Sequence, residues 1–147
     1  MAEFLDLYGK TSKAVRAVTD VAMRRHGLYP GQDKLLAVLW AHDGATPGEI
    51  AAAVNVTTPA VVKMAGRMVA AGLVTRRRDD RDNRLVRLWL TDAGRALREP
   101  VEAERKLIEE KITEGLTETE REHLTTAIAK VHRAASDLLG GPIDPTN

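Results

Sequence analysis

The chain has no cysteine among its 147 residues. That excludes a disulfide framework, a thiolate zinc site and a thiol redox switch within it, and is compatible with the cytoplasm, the expected location. Aromatic residues are scarce: one Phe, two Trp and two Tyr. A core must then be assembled from Leu, Val, Ile and Ala, a set that suits helix packing better than a sheet sandwich. No stretch reaches the roughly 18 apolar residues of a membrane span. The opening MAEFLDLYGK carries early acidic residues and no long apolar run, so neither a signal peptide nor a membrane partner is expected. The four histidines, His26, His42, His123 and His132, miss the i, i+4 spacing of a helical metal pair. There is no glycine-rich phosphate loop, no serine elbow and no acid pair suited to catalysis. No metal, cofactor or enzyme activity is expected.

What is present is a concentration of positive charge. The net charge is only +1. Residues 57–87, however, hold eight basic side chains (Lys63, Arg67, Arg76, Arg77, Arg78, Arg81, Arg84, Arg87) against three acidic ones, while residues 92–139 hold eight basic and eleven acidic. A near-neutral chain with one basic segment offers that segment to a polyanion.

Periodicity supplies the frame. Phe4, Tyr8, Thr11, Val15, Val18 and Ala22 step by four and three, one stripe of a long helix stopped by Gly27 and Pro30. Residues 31–42 read as a short helix buried on more than one side, and Asp43-Gly44 as a turn. Thr46-Pro47-Gly48-Glu49 is a helix start with a capping box. Val54-Asn55-Val56 is a tight turn, Asn tolerating the left-handed conformation. A second helix follows, capped by Thr57 or Thr58, and runs to about Ala71. Its core face is Val61, Met64, Ala65 and Met68, and Gly72 ends it as a left-handed cap. Two short helices around a three-residue turn describe a helix-turn-helix. Val86, Leu88 and Leu90 then alternate with Arg87 and Trp89 as a half-buried strand. With Val74–Arg77 this makes a β-hairpin whose charged tip runs from Arg78 to Arg84, a wing. A long helix over 92–115 is marked by Leu97, Val101, Ile108 and Ile112, with Pro100 expected to kink it or split off its first turns. Thr117-x-x-Glu120 starts the last helix, with Leu124, Ile128, Val131, Ala135 and Leu138 as its stripe. Gly140-Gly141-Pro142 ends order.

The expected fold is mainly α with a small β-hairpin wing: a winged helix-turn-helix over residues 29–91, flanked by helical dimerisation segments 1–28 and 92–140, with a flexible tail at 141–147. The second helix is the right size for the major groove. Thr57, Thr58 and Pro59 supply hydroxyls and an apolar edge, Ala60 and Val62 suit thymine methyls, and Lys63 and Arg67 donate to guanine or phosphate. At the tip, Arg78, Arg81, Asn83 and Arg84 face phosphate or a narrow minor groove, with Asp82 placed to brace the Arg84 guanidinium. Capping by the threonines and ordinary surface ion pairing are the plainer alternatives.

At this point the chain resembles a known family. Leu28-Tyr29-Pro30-Gly31-Gln32, Glu49-Ile50-Ala51, Gly72-Leu73-Val74, and Asp79-Asp80-Arg81-Asp82-Asn83-Arg84 ahead of Leu90-Thr91-Asp92-Ala93-Gly94 look like the MarR family of antibiotic-resistance regulators. The wing run followed by Leu-Thr-x-Ala-Gly is the most specific part. The resemblance implies a homodimer joined by its terminal helices, bound to a pseudo-palindromic operator in double-stranded DNA. It also implies a repressor of transcription released by a small aromatic or phenolic effector. Two positions depart from the family: Asp80 stands where proline is usual, and Asn83 where a basic residue is usual.

A dimer is also favoured by a second apolar set on the first helix, Leu7, Ala14 and Val21, at a spacing of seven. A symmetric dimer reads half-sites about 34 Å apart. Arg16, Tyr29, Trp40 and His42 are the candidates for an effector site, Arg16 pairing with a carboxylate. The rival function is a winged-helix scaffold for protein contact without DNA binding. Salt dependence separates the two, since counterion release drives DNA association.

Overall fold

The structure, a computed structural model, describes residues 2–140; the tail expected at 141–147 lies outside the described residues. In chain order the elements are α1 (Glu3–Arg24), α2 (Gln32–Ala41), α3 (Pro47–Val54), α4 (Thr58–Ala70), β1 (Val74–Arg78), β2 (Val86–Leu90), α5 (Asp92–Ala96), α6 (Arg98–Thr113) and α7 (Glu118–Leu138). The core gathers Met23, Leu28, Leu35, Leu36, Leu39, Ile50, Val61, Met68, Leu88 and Val101. It therefore sits in the middle of the chain, beneath α2, α3, α4 and the hairpin.

Local chemistry fixes the ends of these helices. Thr46 caps α3, its Oγ1 accepting the Glu49 N–H at 3.2 Å. Glu49 departs from the expected capping box: its carboxylate accepts from the Thr46 hydroxyl, whereas in that box it would take the backbone N–H. Asn55 ends α3 with φ 56°, a conformation asparagine tolerates better than most residues. The cap of α4 is Thr57, whose Oγ1 accepts the Ala60 N–H at 3.3 Å; Thr58 and Pro59 occupy the first turn. At the far end Gly72 is left-handed, its N–H reaching Val69 O and the Leu73 N–H reaching Met68 O, both at 3.0 Å. This paired closure satisfies two orphan carbonyls of α4.

The hairpin pairs Val74 with Leu90, Thr75 with Trp89, Arg76 with Leu88, Arg77 with Arg87 and Arg78 with Val86. The outer edge of β2 is covered by the turn before α3. Gly44 N–H donates to Leu88 O at 2.9 Å, and Leu88 N–H donates to Ala45 O at 3.0 Å. Asp43 Oδ1 accepts the Leu90 N–H at 2.8 Å. The edge is thus closed to pairing with other chains.

Thr91 and Gly94 join the hairpin to the helices beyond it. The Thr91 hydroxyl meets Gly72 O at 2.6 Å and Leu73 O at 3.0 Å and accepts the Gly94 N–H at 3.1 Å, capping α5. A Cβ on Gly94 would lie 2.2 Å from the Leu73 carbonyl oxygen. The Trp40 indole N–H donates to Gly94 O at 3.0 Å.

One expectation, that Pro100 splits off the first turns of the long helix, is met, and two from periodicity are corrected. The helix expected over 92–115 is divided at Leu97; Pro100 has no N–H to offer the Ala96 carbonyl, so the turn before it is not propagated. Ile112, expected on the buried side of α6, is exposed. Of the stripe on α1 only Ala22 is buried, and α7 has no buried residue. Among the described residues only the last turn of α1 reaches the core; Val15 and Thr19 face α6, and most of the rest is exposed.

Ion pairs bind α6 to the lobe. Glu104 is held by the His26 imidazole and by Arg25 at 3.0 Å, and buried Asp33 accepts from Arg105 at 2.9 Å. His26 first and then Arg25 keep the Glu104 carboxyl below its ordinary 4.5.

Two outcomes follow. Gly94→Ala lowers stability by roughly 1–3 kcal/mol because the methyl meets a backbone carbonyl. Gly66→Ala, mid-α4 with nothing within 4 Å of the added Cβ, raises it by up to about 1 kcal/mol. Thermal melts followed by circular dichroism check this, and shifts of the same sign would contradict the packing account. Second, a depressed carboxylate adds stability that is fully present above its ordinary value and lost as pH falls through the folded one. The stability gap between the parent and Glu104→Gln should therefore close on acidification below pH 4.5; urea unfolding across that range, showing a constant gap, would refute the linkage.

Candidate nucleic-acid interface

The turn at Asn55-Val56 places α4 across α3 with one face inward and one outward. Val61, Ala65 and Met68 are buried. Thr57, Pro59, Ala60, Val62, Lys63 and Arg67 are exposed, and Thr58 is half-buried. No Asp or Glu occurs in α4. The positive end of its dipole is therefore not neutralised by its own side chains. The Thr57 hydroxyl accepts the capping bond and keeps its own hydrogen to donate. Capping and outward donation are compatible in one side chain.

The wing tip is a closed loop. Asp79 N–H donates to Leu85 O at 2.9 Å and Leu85 N–H to Asp82 O at 3.0 Å. Asp82 takes the backbone N–H of Arg84 at 3.0 Å and its guanidinium at 3.1 and 3.3 Å. Arg84 is thereby aimed while its side chain stays 90% exposed. The same guanidinium holds the Asp82 carboxyl below its ordinary value. Arg78 donates to the Asn83 carbonyl at 2.5 Å, so both of these residues, expected at a nucleic-acid surface, also close the loop. Lys63, Arg67, Arg76 and Arg81 form no ion pair among the described residues. These cations are exposed on two consecutive parts of the chain, the outward face of α4 and the hairpin that follows it.

Reading the sequence missed the residues that hold this tip. Asp79 Oδ2 accepts the N–H groups of Arg81 at 3.1 Å and Asp82 at 2.9 Å. Its Oδ1 accepts from Arg87 Nε at 2.7 Å, and Arg87 draws the carboxyl below its ordinary value. Arg87 also donates to Gly44 O at 3.0 Å. The register contained the signal. Arg77 and Arg87 are directly opposed, and like charges there are unfavourable unless each has a partner. Arg77 lies over the Trp89 ring at 4.8 Å, leaving Asp79 for Arg87.

Of the four effector candidates, Arg16, Tyr29 and His42 are exposed, and the Trp40 indole is engaged by Gly94. None of the four lines either of two open clefts. One, about 530 Å³, runs along α5 and α6 past Arg95, Arg98, Glu102 and Lys106. The other, about 300 Å³, lies between α1 and α6 and is lined by Val15, Thr19, Arg105, Lys106, Ile108, Glu109 and Ile112.

Comparison with known proteins agrees with this geometry. A model of the MarR family matches residues 28–86. The HTH-type transcriptional repressor MdtR of Bacillus subtilis (strain 168) is 35% identical over 114 residues, covering 78% of this chain and 74% of that protein. The S. aureus MepR–DNA complex superposes with a TM-score of 0.83 at 25% identity, over 90% of this chain and 97% of that one. A mutant of E. coli MarR complexed with operator DNA gives 0.82 at 23%, over 88% and 94%. The chain belongs to the MarR family and is one of its winged-helix transcriptional regulators, a family that is not one of enzymes.

Proposed function

We propose that the chain binds operator DNA as a homodimer and represses transcription until a small aromatic or phenolic acid releases it. The observation that carries this is the exposure of cations on α4 and on the wing, Lys63 and Arg67 on one and Arg81 and Arg84 on the other. In this reading α4 enters the major groove, led by Thr57, Thr58, Pro59, Ala60 and Val62. The wing arginines, with Arg78 and Asn83 shaping the loop, meet the flanking backbone or minor groove. Residues 29–91 act as the DNA-binding lobe, and 1–28 with 92–140 as the dimerisation stem. The likeness to MepR in a complex with DNA supports the partner, and the 35% identity to a protein described as a repressor supports the direction of control.

The uncovered stem supports the dimer. Leu7 is 64% exposed, Val21 59%, Leu107 48% and Leu124 46%, a patch of the kind that marks an interface in a folded protein. A second copy of the chain covers it and sets the spacing of two recognition helices. The α1–α6 cleft fits the effector better than the four candidates. Val15, Ile108 and Ile112 offer an apolar wall, and Lys106 offers a cation for a carboxylate. Release then follows as a population shift: the effector favours dimers whose α4 spacing misses successive grooves, by the ratio of its affinities for the two arrangements.

Duplex selection from a random pool, followed by titration of the labelled product, tests the binding. Affinity should fall log-linearly with salt. Lys63→Ala and Arg84→Ala should each reduce the slope by about one, as expected for a lost phosphate contact. A benzoate-type acid should weaken the complex, less so in Lys106→Ala. Unchanged affinity in both arginine and lysine variants would mean the surface is wrongly assigned. Separately, sedimentation of the free protein should give a dimer, and Leu7→Glu with Leu124→Glu a folded monomer; a monomeric parent would dismiss the stem interface.

A further inference from the structure

We propose that Arg87 is a positioning residue for DNA recognition, one that locks the wing to the helical body and so aims the tip cations without itself meeting the duplex. The inference rests on the DNA-binding reading above and adds to it a residue outside the recognition surface.

Arg87 is the middle of a continuous chain of bonds. On one side its Nη1 donates to the Gly44 carbonyl at 3.0 Å, with the Glu49 carboxylate of α3 at 3.8 Å. On the other its Nε donates to Asp79 Oδ1 at 2.7 Å. Asp79 Oδ2 in turn holds the backbone N–H groups of Arg81 and Asp82, and Asp82 holds Arg84. The first turn of α3, the base of the wing and both tip arginines are thus connected through one guanidinium. Its side chain is 32% exposed, against 90% for Arg84. Both acceptors use its planar fork, a geometry a lysine ammonium does not reproduce.

A hairpin of two five-residue strands has little else to set its angle against the body. Apart from Arg87 itself, the turn at Asp43-Gly44-Ala45 bonds β2 at Leu88 and Leu90, on the base side of Arg87. Beyond Leu88 the wing projects, and Arg87 is the next residue outward. Freed from Asp79, the loop backbone at Arg81 and Asp82 loses two hydrogen bonds at once, and the entropy of ordering the tip returns to the DNA-binding step.

The charge of Asp79 makes the test decisive. Deleting a negative charge beside a polyanion tightens binding if electrostatics alone operates; deleting an anchor weakens it. Anisotropy titrations with the selected duplex over a salt series compare the parent with Asp79→Asn, Arg87→Met, Arg87→Lys and the Asp79→Asn/Arg87→Met pair, each first shown by circular dichroism to be folded. Asp79→Asn and Arg87→Met should each weaken binding roughly tenfold, the scale of one charge-assisted hydrogen bond. The pair should be no weaker than either alone, and Arg87→Lys, the milder change, should recover only part. Tighter binding by Asp79→Asn, additive losses in the pair, or full recovery by lysine would overturn the proposal. A parent that selects no duplex would overturn the DNA-binding reading instead. Amide exchange at Arg81 and Asp82 in the free protein, faster in Arg87→Met, then still decides whether Arg87 anchors the tip.

Discussion

The architecture depends on the junction at Thr91 and Gly94. Four elements meet there: the C-terminus of α4, the end of β2, the start of α5 and, through Trp40, the end of α2. The hydroxyl of Thr91 caps α5 and faces the carbonyls of Gly72 and Leu73, and its own N–H donates to Leu73 O at 3.1 Å. Close approach is possible only because residue 94 has no Cβ. A backbone held this tightly does not deform continuously. Under the proposed function it is the junction through which a displacement of α5 and α6 would reach α4.

The wing poses a different problem, that of holding six arginines on a short hairpin. Left alone they would repel one another and splay the strands. Each solution on this hairpin is local. Trp89 receives Arg77, Asp79 receives Arg87, Asn83 receives Arg78 and Asp82 receives Arg84. The acidic residues of the tip, which weaken attraction for phosphate, are therefore its organisers. Asp79 also supplies order where the usual proline is replaced by Asp80, since it fixes the backbone at Arg81 and Asp82 from the side-chain side. Among the described residues only Arg84 and Arg87 of this hairpin form ion pairs, and Arg76 and Arg81, like Lys63 and Arg67 on α4, form none.

Legibility in the sequence divides along the same lines. Caps and turns were readable because they are set by one or two residues: Thr46, Asn55, Gly72 and Thr117 act as their chemistry dictates. The choice between Thr57 and Thr58 as cap needed coordinates, since either hydroxyl satisfies the rule. The stripe of α1 was readable as helix but not as buried or exposed, because periodicity records an apolar face and not what covers it. The tip of the wing was half legible. Asp82 and Arg84 lie two apart, within reach along the chain. Asp79 and Arg87 lie eight apart and meet only after the register is known. That neither cleft is lined by Arg16, Tyr29, Trp40 or His42 has the same origin: residues on two helices and two connecting segments form a site only if the tertiary structure gathers them.

The ion pairs of α6 carry the synthesis one step further. Arg105 reaches buried Asp33 on α2, and Glu104 takes His26 and Arg25 at the end of α1. Arg105 also lines the α1–α6 cleft. A single residue therefore belongs both to that cleft and to the contact that seats α2. Since α2 presents Trp40 to Gly94, and Gly94 abuts the end of α4, the path from cleft to recognition helix is made of packed, bonded groups throughout. Breaking the Asp33 pair would leave a buried carboxylate without its cation, which is strongly unfavourable. The pair therefore ties α6 to α2, and under the proposed function it is the route by which a ligand in the cleft would act on the spacing of α4.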